Sequence, residues 1–360
     1  MTRRWRGDPG HIGDSKKIGT PVPDQDDQVG TRSPAMHLSP YLFARGDVLR
    51  VLSSVLLVTF SVSATISAHA SRSGDGSYPY NTFVVPCVVE ACKLFASVTM
   101  LTYESFGRGA TSWSTCFENS DFLHYVLPAF CYFVSNNCTF YSIQFLGATK
   151  FQIMNNLKVL STGVFMRILL QRKLSWSQWR ALVILIVGSI IAQLEPSRNL
   201  GETYDPKPVA WQGYAFVGLG TITSGMGGVF SEKLLKNLHE NASHISPSIH
   251  AQNTKLYMFG LLFGLISLKI RGVHMCDPIR AFDGFNIFAF VSILSLTLSG
   301  LTVSFVLKYV DSIMKCFCAA CSMLLVASLE SMMENEFISV QTVTGIVLTA
   351  FAMRAYSVHT

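Results

Sequence analysis

Ten stretches of this chain are long and mostly apolar, and polar or turn-forming residues separate them. They fall at about 48–68, 81–103, 122–142, 147–169, 177–194, 209–231, 250–269, 285–306, 313–331 and 337–356. Each approaches the ~20 residues that a helix needs to cross the ~30 Å of a bilayer's hydrocarbon. Hydrocarbon offers the backbone no hydrogen-bond partners, so a spanning segment satisfies its own amides by forming a helix. The pattern therefore predicts an all-α membrane protein with about ten transmembrane helices. Ser73-Gly74-Asp75-Gly76, Pro196, Pro206 and Pro208 mark turns between spans. Residues 1–46 do not share the pattern. Pro, Gly, Asp and Arg are scattered through them without a signal peptide's apolar run, which predicts a disordered cytosolic tail. Met36 is an alternative start. Arg3, Arg4 and Arg6 resemble a targeting peptide, but Asp24, Asp26 and Asp27 argue against one.

An even number of spans places both termini on one side. With the N-terminus in the cytosol, the inner flanks hold Arg45, Arg50, Arg108, Arg172, Lys173, Lys233, Lys236, Lys308 and Arg354. The outer flanks hold Arg72, Arg198, Lys207, Lys269, Arg271 and Arg280, so the positive excess lies inside. Both termini are accordingly expected in the cytosol, and the sequon at Asn241 should carry no glycan. Five spans in each of two parts, 47–196 and 197–360, give halves of opposite orientation. That is the plan of two inverted five-helix repeats with a site at their interface.

Composition sharpens the class. Hydrophobic residues are 49% and charged residues 14%, against about 25% charged in a soluble domain. Mean hydropathy is +0.36. The net charge of +6 fits cytosolic anchoring and an anionic substrate. The basic residues are dispersed, which excludes nucleic acid as a partner. Of the nine cysteines, Cys318 and Cys321 have a metal-like spacing. Their surroundings are small and apolar, without a second pair or a histidine, so helix packing is the better reading. No metal or cofactor is expected.

Polar residues within the spans are the candidate chemistry, because each needs a partner or a water-filled cavity. The fourth span contains Gln152, Asn155, Asn156 and Lys158. Phe151, Asn155, Lys158 and Thr162 follow a 4-3-4 spacing, which on a continuous helix is one face. A lysine can snorkel to the interface, yet Arg167, Arg172 and Lys173 already occupy the interface beyond Lys158. Glu90 and Lys93 in the second span are three residues apart. At that spacing an acid and a base can neutralise each other as a structural pair. Tyr132, Ser135, Asn136 and Asn137 in the third span supply either helix–helix bonds or ligand contacts. Asn137-Cys138-Thr139 is a sequon that should stay unused at membrane depth. Gly225, Gly227 and Gly228 permit close approach. Lys308, Asp311, Lys315 and Ser322 share a face on a continuous helix. Lys315 has no carboxylate after it until Glu330 and would favour a phosphate. Lys308 and Asp311 are expected to form an interfacial pair or gate. Glu330, Glu334 and Glu336 are the one dense acidic group, expected in a solvated loop.

These residues carry a family resemblance. Glu90-Ala91-Cys92-Lys93-Leu94, Asn136-Asn137, Gln152, Leu157-Lys158, Leu174-Ser175, Gln178-Trp179 and the run from Ser224 to Lys233 match its motifs. So do Ser299-Gly300-Leu301, Ser304, Lys308-Tyr309, Asp311 and Ile313 with Lys315. From about residue 45 to 356 the chain resembles nucleotide-sugar transporters of the drug/metabolite transporter superfamily. The run QIMNNLKVLSTG is similar to the plant proteins called CMP-sialic-acid-transporter-like, with UDP-sugar transporters beside them.

The resemblance implies an antiporter, not an enzyme. It would exchange a cytosolic CMP- or UDP-linked sugar for lumenal nucleoside monophosphate in the Golgi membrane, with the endoplasmic reticulum as second choice. It implies a substrate site of Lys93, Tyr132, Asn136, Asn137, Phe151, Asn155, Lys158, Thr162, Phe230 and Lys315. Glu90, Glu232, Lys308 and Asp311 would gate it or form an interface. Ser135 stands where the family has glutamine; Phe151, Asn155 and Phe230 stand where many relatives have tyrosine. Membrane lipid is an expected partner, and a homodimer is an open option. The alternatives are a carrier or exporter of another phosphorylated organic anion, and a membrane-embedded glycosyltransferase built on an acidic metal cluster.

Overall fold

The computed structural model describes residues 40–74, 77–108, 120–146, 148–194, 211–237, 248–273, 282–333 and 337–358. Among the described residues there is no strand. The helices are α1 (Pro40–Ala70), α2 (Val84–Arg108), α3 (Val126–Leu146), α4 (Ala148–Asn155), α5 (Lys158–Leu169), α6 (Trp176–Ala192), α7 (Trp211–Asn237), α8 (Ile249–Ile270), α9 (Ile287–Tyr309), α10 (Ser312–Met333) and α11 (Val340–Ser357). A 3₁₀ turn, Ser120–Tyr125, leads into α3. These helices lie at the ten apolar stretches read from the sequence, with the fourth broken into α4 and α5. The first helix starts at Pro40, inside the stretch expected to be a disordered tail. Met36, Asn241, Glu334 and Glu336 lie outside the described residues.

Four segments are long and apolar enough to cross a membrane by length and composition alone: Val48–Ala70, Val84–Gly107, Ile287–Tyr309 and Ser312–Met333. Helix α6 is a shorter apolar helix. The others carry more polar residues, such as Asn136 and Asn137 in α3 and Gln252, Asn253 and Lys255 in α8. Large apolar side chains point outward on many helices, including Val55 on α1, Phe95 on α2, Val183 on α6, Leu294 on α9 and Phe351 on α11. In water this surface would drive aggregation; against lipid it is the expected exterior.

Helix ends are capped by side chains. Ser175 and Gln178 form a reciprocal capping box at the start of α6, an arrangement whose cap is worth about 1 kcal/mol. Asn286 accepts from the Ala289 amide at the start of α9, and its own amide donates to the Ser71 carbonyl, tying α9 to the end of α1. Between those two helices run Ser61–Ser299 at 3.2 Å, Ser63–Ser295 at 2.9 Å and Ser292 to the Ala64 carbonyl at 3.1 Å. Such bonds between membrane helices contribute about 0.6 kcal/mol each.

The helices pair in a regular way. Helix α1 lies against α9 and α10, α7 lies against α3 and α5, α2 lies against α9, and α3 lies against α8. When spans are numbered with α4–α5 as the fourth, a shift of five turns each of these pairings into another that is present. The pairs α2–α8, α5–α10 and α6–α11 map onto themselves.

Two interruptions shape the interior. In the fourth span the chain turns at Asn156–Leu157, and the Asn156, Leu157 and Val159 amides bond to carbonyls three residues back. The tightened, 3₁₀-like turn ends α4 and restarts the helix at Lys158. Phe151 and Asn155 therefore belong to one helix, and Lys158 and Thr162 to another. Part of the expected face survives the turn: Asn155 and Lys158 border one space, and Lys158 and Thr162 border another. The second interruption is Val310–Asp311, between α9 and α10, where Val310 has φ −123 and ψ −111. Lys308 lies in the last turn of α9 while Asp311 caps α10, so Lys308 stands on a different helix from Lys315, whose amide bonds to the Asp311 carbonyl.

Candidate functional site

Among the described residues, three adjoining cavities lie inside the bundle. The first, about 270 Å³, is walled by α2, α3, α7, α8, α9 and α10. Glu90 and Lys93 enter it from α2 and form an ion pair at 2.5 Å. They fit because the facing helices carry no side chain there. A Cβ at Gly260 would sit 2.8 Å from Glu90 Oε2, and one at Gly300 would sit 2.6 Å from Lys93 Cδ. The Lys93 ammonium also lies 4.7 Å from the Tyr257 ring centroid, a cation–π contact. The Tyr257 hydroxyl lies 3.2 Å from the Gly300 carbonyl and 3.3 Å from Ser304 Oγ. Lys93 is thus surrounded by compensating groups.

The two asparagines of α3 differ. Asn137 donates to the Phe133 carbonyl at 2.9 Å and accepts from Arg271 at 3.0 Å. That guanidinium is stacked 4.1 Å from the Phe83 centroid. Asn136 also lines the cavity, and its amide has no hydrogen bond among the described residues. Of the two asparagines it is the one whose amide is unengaged. Tyr132, one helical turn earlier, has its ring 5.4 Å from the Lys315 ammonium. Its hydroxyl is buried without a hydrogen-bond partner among the described residues.

Lys315 joins the first cavity to a second of about 210 Å³. Lys158 and Thr162 enter this second cavity from α5, opposite Lys315 and Cys316 of α10. The Thr162 hydroxyl donates to the Lys158 carbonyl at 2.8 Å. Neither lysine has an ion pair among the described residues. Two ammonium groups therefore share one interior space with no carboxylate bound to either. An uncompensated cation at membrane depth costs about 2.5–3.5 kcal/mol even on the lower scales. Lys158 also lines a third cavity of about 400 Å³, together with Gln152, Asn155 and Asn156.

The residues expected to form one site are thus divided. Glu90, Lys93, Tyr132, Asn136, Asn137 and Lys315 wall the first cavity, and Lys158, Thr162 and Lys315 the second. Asn155 faces the third. Phe151 and Phe230 are in none of the three walls. Glu232 and Asp311 lie apart, at the corner between α9 and α10. Glu232, 1% exposed, accepts from Lys236 at 2.6 Å and from the Ser312 amide at 2.7 Å. Lys236 also donates to the Val310 carbonyl at 2.6 Å. Asp311 accepts from the Met314 amide at 2.7 Å, from the Tyr356 hydroxyl at 2.9 Å and from Arg172 at 3.3 Å. Its cationic partner is Arg172, not Lys308 as the spacing implied. Lys308 is within electrostatic reach of Glu104 and His250 instead.

Several residues here do not stand out in the sequence. Tyr257 reads as an ordinary aromatic in an apolar helix, and Arg271 as an interface anchor. Lys255 of α8 is buried with its ammonium 5.6 Å from the Tyr125 ring centroid. Its neighbours Gln252 and Asn253 are buried with amide atoms that lack partners among the described residues. Their signal is three polar residues in four positions at a span's start, a pattern equally open to reading as solvated flank. No group of three metal-ligating side chains occurs among the described residues. Glu330 is on α10 and borders the third cavity, rather than sitting in a loop.

Comparison with known proteins gives a consistent picture. Residues 45–357 match the family model described as nucleotide-sugar transporter. The chain is 30% identical to CMP-sialic acid transporter 2 of Oryza sativa subsp. indica, over 86% of this chain and 83% of that one. It is 30% identical to CMP-sialic acid transporter 1 of Arabidopsis thaliana, over 84% and 88%. It is 26% identical to the UDP-N-acetylglucosamine transporter of Homo sapiens, over 81% and 89%. One solved crystal structure superposes with a TM-score of 0.63 over 86% of this chain and 96% of that one. At 10% sequence identity, this is a likeness of fold alone.

Proposed function

This chain belongs to the nucleotide-sugar transporter family, and on that premise we propose that it exchanges a cytosolic CMP- or UDP-linked sugar for a lumenal nucleoside monophosphate. The expected place is the Golgi membrane, with the endoplasmic reticulum as second choice. One observation carries the reading: Lys158 and Lys315, from opposite halves of the chain, enter one cavity without a bound carboxylate. A phosphate or diphosphate supplies the missing charge. Charge-assisted hydrogen bonds are worth about 1.5–3 kcal/mol each. Two of them favour a phosphorylated ligand over its nucleoside by roughly a hundredfold or more.

The adjoining first cavity suits the nucleoside. Tyr132 offers a ring face beside Lys315, and Asn136 offers an unengaged amide donor and acceptor. A carrier of another phosphorylated anion would use the same lysines but has no need of that wall. Lys93 stays bound to Glu90 and shapes the cavity rather than holding phosphate. Alternating access is attributed to rocking of two inverted five-helix halves. The exchange of helix pairings under a shift of five spans supports this. So does the position of the two lysines, in the fourth and ninth spans, which correspond under the same shift. The Arg172–Asp311 pair joins the two halves at one end and would have to loosen when that end opens.

Counterflow tests the reading. Proteoliposomes preloaded with UMP or CMP should take up labelled nucleotide sugar faster than empty ones. Uptake that ignores the internal nucleotide would contradict exchange.

A further inference from the structure

A groove between α5 and α6 shares no wall residue with the three cavities. It lies where α5 ends and α6 begins, and it holds about 720 Å³. The two helices come close here because Gly163 has no side chain. A Cβ there would sit 3.3 Å from the Trp179 ring and 3.0 Å from Leu182. Two cations enter the groove, Arg167 from the last turn of α5 and Arg180 from α6. Both are exposed, and neither has an ion pair among the described residues. No carboxylate is among the described residues that line it. The basic residues of the intervening hinge are not part of the wall: Arg172 is engaged by Asp311, and Lys173 is exposed beside it.

The rest of the wall is graded from polar to apolar. Trp176, Arg180, Val183 and Val187 follow a 4-3-4 spacing on the unbroken helix α6 and share its outer face. Trp176 is 81% exposed, Val183 51% and Val187 45%, so this face meets the surroundings of the bundle. Arg180 stands about 6 Å along the helix from Trp176, toward the valines. A guanidinium beside lipid is costly without an anion, and its planar fork matches a phosphate. Tryptophan favours the headgroup level, where its ring is in apolar contact and its N–H is wet. Indole and guanidinium groups at the helix start, then Val183 and Ile184, repeat the order of a phospholipid: charged headgroup, then acyl chain. We propose that this groove binds an anionic phospholipid, with the headgroup held between Arg167 and Arg180 and an acyl chain laid along Val183 and Ile184. Two guanidinium groups are neutralised by a headgroup with at least two negative charges. Phosphatidylinositol monophosphate is therefore preferred to phosphatidylserine, and phosphatidylserine to phosphatidylcholine. In the expected orientation the groove opens to the cytosolic leaflet, where anionic lipids are concentrated. Arg167 shares α5 with Lys158, so the lipid braces the helix that presents one of the two interior lysines.

Lipid titrations of the purified full-length protein in detergent, read by native mass spectrometry, test this without any measurement of transport. The probes are phosphatidylinositol monophosphate, phosphatidylserine and phosphatidylcholine with the same acyl chains, and soluble inositol bisphosphate. The wild type should bind the three lipids in that order, and inositol bisphosphate at least about tenfold more weakly than the lipid that carries the same headgroup, because the apolar wall is then unused. The pair Arg167→Gln with Arg180→Gln should weaken phosphatidylinositol monophosphate about twentyfold and leave phosphatidylcholine within about twofold, since each arginine near an anionic headgroup contributes about fivefold. Lys173→Gln, a change beside the groove but outside its wall, should alter every affinity by less than about twofold. Equal binding of the three lipids by the wild type overturns the site. Inositol bisphosphate binding as tightly as the lipid would make it a site for free phosphate and overturns the lipid assignment. A loss in Lys173→Gln as large as in the arginine pair would reduce the effect to diffuse surface charge. The wild-type order decides the question even where the arginine pair does not fold.

Discussion

Two groups of buried charges in this protein are treated in opposite ways. At the α9–α10 corner, Glu232 and Asp311 are each 1% exposed and saturated with partners. Glu232 holds Lys236 and a backbone amide; Asp311 holds Arg172, Tyr356 and a backbone amide. In the second cavity, Lys158 and Lys315 face the interior with no bound carboxylate. The Glu90–Lys93 pair lies between these cases, inside the first cavity but self-neutralised. A buried charge that already has its partners holds the fold; one that lacks them is available to a ligand. On the proposed reading, satisfaction rather than burial separates scaffold from site.

Substitutions should divide along the same line. Lys158→Ala and Lys315→Ala should each abolish nucleotide-sugar exchange while the protein still reaches its membrane, with apparent nucleotide affinity lowered about tenfold or more. Lys→Arg should rescue only partly, because a planar fork does not replace a compact ammonium. Uptake assays with a surface-expression control check this; normal exchange by either alanine variant would break the division.

Asp311→Ala should act on stability instead. It strands the Arg172 charge and the Met314 amide, and each group left unsatisfied costs about 1–3 kcal/mol, with the Arg172 share reduced by its 34% exposed side chain. Thermal unfolding should occur several degrees lower, while the protein that remains folded keeps nucleotide affinity within about threefold. A lost affinity at unchanged unfolding temperature would move Asp311 into the site.

Lys93 should give an intermediate result. Lys93→Met alone leaves Glu90 unpaired and should reduce exchange strongly, whereas Lys93→Met with Glu90→Gln should recover a measurable part. The recovery reflects a pair coupling on the order of 0.5–3 kcal/mol. A double variant as inactive as Lys158→Ala would place Lys93 with the ligand-binding cations. The smallest effect is expected at the N-terminus: starting at Met36 should leave exchange intact in reconstituted vesicles, and its loss would give the tail a function.

Much of the fold is legible in the amino-acid sequence alone. Helices lie at all ten expected stretches, most ends within about five residues, because long apolar runs mark them; α1 starts eight residues early and α7 ends six residues late. Lys158 and Lys315 stand out because hydrocarbon makes an unpaired cation conspicuous. What is not legible depends on breaks and distant partners. Asn155 and Asn156 are compatible with helix, so nothing local marks the turn after them, and the spacing of Phe151, Asn155, Lys158 and Thr162 suggests a face that the turn divides. Asp311 does carry a helix-start signal, a short acidic residue just before an apolar run. The spacing with Lys308 competes with that signal, and in the fold the cap wins. Its partner Arg172 is 139 positions away and reads locally as an interface anchor. Arg271 holding Asn137, and Tyr257 under Lys93, are long-range contacts of the same sort. The inward orientation of Phe151 and Phe230 is an expectation of family resemblance, and the cavity walls do not include them.

The central claim is that two unpaired ammonium groups make the site a phosphate site. Titration of the wild type and of the Lys158→Ala, Lys315→Ala double variant with uridine and with UMP, or with cytidine and CMP, tests it directly. The wild type should bind the monophosphate at least about a hundredfold more tightly than the nucleoside, and the double variant should bind both about equally and weakly. A double variant that keeps the wild-type preference for the monophosphate would contradict the claim.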